Sequence, residues 1–89
     1  MTAPQSVLNA VARIKERWII SLPELTDDET RMFLDIYEGV YSLFRSPERE
    51  QRFIRVSEPK LGGVTLVDLI GARRFDEAKS FVDWFNGRS

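Results

Sequence analysis

Residues 25–44 read LTDDETRMFLDIYEGVYSLF, and the fold class turns on this stretch. Thr26 followed three residues later by Glu29 is a capping-box pattern, in which each side chain satisfies a backbone N–H that the first helical turn leaves without a partner. Asp27 and Asp28 add negative charge at the positive end of the helix dipole. Beyond them Met32, Phe33, Ile36, Tyr37, Val40, Leu43 and Phe44 recur mostly at steps of three and four, the spacing that gathers side chains on one helical stripe. The pattern predicts about five turns of helix with one broad buried face. Gly39 interrupts the stripe at a cost of about 1 kcal/mol relative to alanine, which points to a second helix approaching closely there.

Toward the N-terminus, Val7, Leu8, Val11, Ile14, Trp18 and Ile19 form another stripe, with Ser6 as the expected N-cap and Lys15, Glu16 and Arg17 on the opposite face. The residue ahead of a proline avoids helical geometry, so Pro23 bounds this helix, which is expected at about residues 6–20. Toward the C-terminus, Ser46-Pro47 is a further start signal, serine capping and proline giving up an N–H that had no partner. That helix is expected to run to about Arg55, with Phe53 and Ile54 inward and Glu48, Arg49, Glu50 and Arg52 outward as a solvated face.

The connector SEPKLGG, residues 57–63, is rich in turn formers. Thr65 with Asp68 repeats the capping pattern ahead of a brief helix burying Leu66, Leu69 and Ile70 and ended by Gly71. A last helix collects Phe75, Ala78, Phe81, Val82 and Phe85 and is expected to stop at Gly87. Period-two alternation is not sustained anywhere, FIRV at residues 53–56 being the ambiguous fragment. The class is therefore all-α: a single compact domain of about five helices without internal repeats.

Composition narrows the function. A chain of 89 residues is one domain with a small core, hiding roughly 60–65% of the surface that its unfolded form exposes. Thirteen basic against fourteen acidic residues leave a net charge of -1, without the positive excess that holds a polyanion. Cysteine and histidine are both absent, which removes thiolate chemistry, the commonest general base and the commonest metal ligand. Asp27, Asp28 and Glu29 are consecutive, so they fan around a helix instead of converging on a metal. Neither cofactor, metal nor catalysis is expected. The start MTAPQSVLNA lacks the blocks of a signal peptide and no apolar run approaches a membrane span, so cytoplasm is the expected location.

A double glycine ahead of a capped helix lets the backbone take positive φ and turn sharply, bringing Leu61 and Leu66 to one core from both sides of the bend. A phosphate cradle would need further glycines or a Lys-Ser/Thr signature, and EPKLGGVT offers neither.

In combination, LTDDETRMFLDIYEGVYSLF, SPEREQRFIRV, EPKLGGVTLVDLI and a final amphipathic helix ending in glycine resemble the antitoxin Xre/MbcA/ParS-like toxin-binding domain, over about Leu25 to Gly87. The most specific piece runs from Pro59 to Ile70 and keeps Pro59, Leu61, Gly62, Gly63, Thr65, Asp68 and Leu69. Lys60 and Leu66 stand where that family usually has asparagine and proline. The resemblance divides the chain into an N-terminal helix at 1–24 and a toxin-binding domain at 25–89. It implies an antitoxin that neutralises a cognate protein toxin, typically a RES-domain protein that consumes NAD or transfers ADP-ribose, by occluding its active cleft. Any NAD chemistry belongs to that partner. Many relatives carry a DNA-reading helix-turn-helix segment. VLNAVARIKERWIIS resembles the first helix of that segment, without a recognition helix, and no stand-alone nucleic-acid binding is expected.

The tail FVDWFNGRS, residues 81–89, is the expected partner contact. Trp84 and Phe85 are adjacent and cannot both face a narrow core stripe, so one of them is expected at the surface as an aromatic anchor, unless a wide core takes both. Arg73, Arg74 and Arg88 are candidates for bonds to a partner's carboxylates, or simply solubilising. Tyr37 and Tyr41, four apart, are expected to edge the core with their hydroxyls at the rim. The reading from a different class is a helical scaffold that pairs with copies of itself, a homodimer included.

Overall fold

The computed structural model describes residues 4–88 and shows five α-helices: α1 (Gln5–Trp18), α2 (Asp27–Phe44), α3 (Pro47–Arg55), α4 (Leu66–Gly71) and α5 (Phe75–Arg88). A 3-10 turn at Pro59–Leu61 lies between α3 and α4, and an isolated bridge pairs Glu58 with Val64 around it. The domain is all-α, and its helix starts carry the chemistry that the sequence shows. Thr26 and Glu29 form a complete capping box, Thr65 and Asp68 form another, and Ser46 accepts from the Arg49 N–H with Pro47 at the first helical position.

One hydrophobic core joins all five helices, from Ile14 and Trp18 of α1, through Phe33, Ile36 and Val40 of α2 and Ile54 of α3, to residues of α4 and α5. The segment before residue 25 therefore shares its core with the rest of the chain. The most extensive helix packing is that of α2 with α5, and Gly39 makes their approach feasible. A Cβ there would lie 2.4 Å from Cγ1 of the buried Val82, well inside contact distance, and β-branched Val82 has little rotamer freedom in a helix to move aside. The Asn86 amide donates to the Gly39 carbonyl at 3.3 Å across the same crossing.

Four helix ends differ from expectation. Pro4, with no side-chain bond, occupies the N-cap of α1, and Ser6 lies inside the helix. That helix closes at Trp18 because Ile19 takes a left-handed conformation at φ 54° and the Ile20 N–H bonds back to the Lys15 carbonyl. Gly71 belongs to α4, and the left-handed residue that reverses the chain is Arg73 at φ 61°. The Arg73 guanidinium donates to the Glu24 carbonyl at 2.6 Å and lies 3.6 Å from the Glu29 carboxylate, which ties the reversal to the start of α2. Gly87 lies within α5, which continues to Arg88.

The largest correction concerns α3 and α1. Glu50, read from sequence as part of a solvated face, is fully buried. Its carboxylate accepts from the Arg17 guanidinium at 2.8 and 2.9 Å and from the Trp18 indole N–H at 3.0 Å. Arg17 accordingly turns toward α3 instead of pointing away from the fold. Burial by itself raises the Glu50 carboxyl, but the bonds from Arg17 and Trp18 outweigh it and hold the group below the ordinary glutamate range. The same bond raises Arg17. Gln51 donates to the Arg17 carbonyl at 3.0 Å and Arg55 to the Ile19 carbonyl at 2.9 Å, so side chains of α3 satisfy two of the carbonyls at the C-terminal end of α1. Among the described residues no buried side-chain polar atom lacks a partner.

Candidate functional site

With Glu50, Gln51, Ile54 and Arg55 turned toward α1 and the core, helical geometry sends Arg49, Arg52, Phe53 and Val56 to the other side of α3. There, with α5 and the 3-10 turn, they line a cleft of about 410 Å³. Its apolar wall is aromatic. Phe53 stacks on Phe81 with ring centroids 5.9 Å apart, meets Phe85 edge-on at 5.2 Å and contacts Phe44 at 5.0 Å. Buried Leu66 also lines it, and Arg49, Arg52 and Glu58 supply its polar edge. Among the described residues neither Arg49 nor Arg52 forms an ion pair, although the guanidiniums of Arg17, Arg73 and Arg74 all do.

The double glycine shapes one end of this cleft. Gly62 and Gly63 take φ values of 77° and 87°, and a Cβ on either would meet nothing within 4 Å. Backbone conformation, not space, is what calls for glycine at both positions. The loop closes on Glu58, whose carbonyl accepts from the N–H groups of Leu61 and Gly63 at 2.9 and 3.0 Å and whose N–H donates to the Val64 carbonyl at 3.2 Å. The Ser57 hydroxyl donates to the Gly63 carbonyl. Leu61, half-buried against the core, lines the cleft on one side and a shallower depression with Lys60 and Trp84 on the other.

Trp84 is the aromatic that reaches the surface: it is 37% exposed, while Phe85 is half-buried against the core. The two rings meet edge-on at 5.2 Å, and the Lys60 ammonium sits 4.1 Å from the centre of the Trp84 ring. Arg73 and Arg74 lie at the opposite end of α5. Ten residues of helix, about 15 Å of axis, separate Arg74 from Trp84. Both arginines are engaged within the chain, Arg73 as described and Arg74 in a bidentate bond to Glu77 at 2.7 and 2.8 Å. The side chain of Arg88 lies outside the described residues. The structure thus gathers Trp84 and Phe85 and leaves Arg73 and Arg74 apart from them. Pro59, Leu61, Gly62, Gly63, Thr65, Asp68 and Leu69 build the turn and the α4 cap.

Tyr37 is half-buried, 5.4 Å from Trp18 between ring centroids, and Tyr41 is exposed with the Arg17 guanidinium 5.6 Å from its ring centre. Among the described residues no three Asp or Glu side chains gather in a way that could hold a metal ion, and no helix is long and apolar enough to cross a membrane.

No family model, curated protein or solved structure matches the chain.

Sequence reading missed Arg49, Arg52 and Lys60 as members of this surface. One signal was present: Glu50 lies four residues before Ile54, on the inward stripe, and turning Glu50 inward sends Arg49 and Arg52 to the opposite side. Lys60 had no comparable signal, because its contact with Trp84 spans two elements far apart in the chain.

Proposed function

We propose that this chain is an antitoxin-type protein-binding module that neutralises a cognate toxin, a RES-type protein consuming NAD or transferring ADP-ribose, by occluding its active cleft. It acts in the cytoplasm, performs no catalysis of its own and binds no nucleic acid alone. The observation that carries the reading is the surface at the end of α5, where exposed Trp84 adjoins half-buried Phe85 and an aromatic cleft. Aromatic side chains beside a well-packed apolar floor are the usual anchors of protein interfaces. The resemblance from Leu25 to Gly87 supplies the class of partner.

The test is to co-express the chain with the product of the adjacent reading frame and measure complex formation and NAD consumption. A recovered complex with suppressed NAD consumption is the expected result, with Trp84→Ala weakening it by more than about 1 kcal/mol while thermal stability holds. Recovery of the chain alone as a concentration-dependent oligomer would replace this reading with that of a self-pairing scaffold.

A further inference from the structure

We infer that the cleft between α3 and α5 is a docking groove for an acidic amphipathic helix of a protein partner. An apolar side chain of that helix seats among Phe44, Phe53, Phe81 and Phe85, and its carboxylates pair with Arg49 and Arg52. The inference rests on the protein-binding reading and deepens it by naming the chemistry of the bound segment.

Charge complementarity selects the occupant. The chain as a whole carries a net charge of -1, so a basic edge here is a local arrangement. Arg49 and Arg52 stand three residues apart on one face of α3, both exposed, both at the edge of the cleft and neither in an ion pair among the described residues. Two guanidiniums about one helical turn apart match two carboxylates at i and i+3 or i+4 of a facing helix. Helix-in-groove recognition takes this form, with apolar anchors at the same spacing laid into an apolar trough. Phe53 and Val56 continue the arginine face at that spacing and turn it from charged to apolar. A single-headed anion such as a fatty acid brings only one negative charge to the two guanidiniums and leaves half of their charge unmatched. A basic segment would meet the arginines head-on and find only Glu58, whose carboxylate already accepts from the Lys60 N–H at 3.2 Å.

The experiment titrates the full chain with a synthetic amphipathic peptide of roughly 16 residues, long enough to hold a helix, with Leu and Phe anchors flanked by glutamates. Its counterpart has every glutamate replaced by lysine. Binding is followed by NMR shifts, including the arginine side-chain Nε–H signals. The acidic peptide is expected to bind with a Kd below about 1 mM, about tenfold or more tighter than the lysine peptide, with shifts centred on Arg49, Arg52 and Phe53. The double variant Arg49→Glu/Arg52→Glu should reverse the preference, an outcome that loss of folding cannot mimic. If that variant does not fold, Arg49→Gln/Arg52→Gln should bring the two peptides to within about threefold of each other. Equal binding of the two peptides, binding of neither, or a preference that survives charge reversal would overturn the proposal. So would shifts confined to Trp84 and Lys60, or laurate filling the cleft more tightly than the acidic peptide. No toxin enters this experiment, so its failure leaves the antitoxin reading to be judged on its own test.

Discussion

Arg49 and Glu50 are neighbours in the chain and point about 100° apart on α3, and they meet opposite surroundings. Glu50 lies in the core with its carboxylate bonded to Arg17 and Trp18. Arg49, with Arg52 one turn on, stands at the edge of an aromatic cleft without an ion pair among the described residues. Both faces of α3 are charged, so charge alone does not say which is structural and which is left for a ligand. The deciding difference is a fixed counter-charge in a dry site. On the inner face Arg17 satisfies Glu50 and sets how α1 docks on α3. On the outer face no described residue supplies such a partner.

The sharpest way to break this contrast is Arg17→Ala, which leaves the Glu50 carboxylate buried without its counter-charge. The expected loss is about 3–5 kcal/mol, a large share of the roughly 4–13 kcal/mol typical of a chain this size, read as a lower urea midpoint. A loss below about 1 kcal/mol would show that the inner face is no more structural than the outer one.

Glu50→Gln sharpens the comparison with a smaller effect, about 1–3 kcal/mol at neutral pH, because the amide still offers Trp18 an acceptor but no charge to Arg17. It should also change the acid limb. The folded chain holds the Glu50 carboxyl below its unfolded value near 4.3. The unfolded chain therefore binds the extra proton, and the stabilisation is complete above about pH 4.3 and lost as pH falls through the folded value. Denaturation midpoints measured downward from pH 6 should fall less steeply in Glu50→Gln than in the parent chain. Identical slopes would remove Glu50 as the source.

Smallest of all is the effect of truncating the outer face. Arg49→Ala and Arg52→Ala should each change stability by less than about 0.5 kcal/mol, since neither exposed guanidinium pairs with a carboxylate among the described residues. A loss of unfolding free energy above about 1 kcal/mol in either variant, taken from its urea transition, would mean that the outer face is structural too.

Much of the fold was legible because its signals are local. Thr26 with Glu29, Ser46 with Pro47 and Thr65 with Asp68 each act within one turn of their own helix, so a short window contains the whole cause. Gly39 was legible as a close approach, since a glycine inside a long apolar stripe is costly without a neighbour to accommodate. The candidate surface was half legible. Adjacent Trp84 and Phe85 announced that a surface aromatic was to be expected, but not which ring it would be or that Lys60 would cover it. Arg73 and Arg74 looked available because their acceptors, the Glu24 carbonyl and the Glu77 carboxylate, cannot be chosen from a list of exposed cations.

By itself the sequence determined the all-α class, the helix starts, the apolar stripes and the positive-φ turn at Gly62 and Gly63, because capping, periodicity and backbone sterics act over a few residues. Tertiary structure decided where the arginines and Glu50 went. Arg17 and Glu50 stand 33 residues apart, and only the docking of α1 on α3 brings a guanidinium to a carboxylate within the core. That one contact turns Glu50 inward, and by the geometry of a single helix it sends Arg49 and Arg52 to the edge of the cleft.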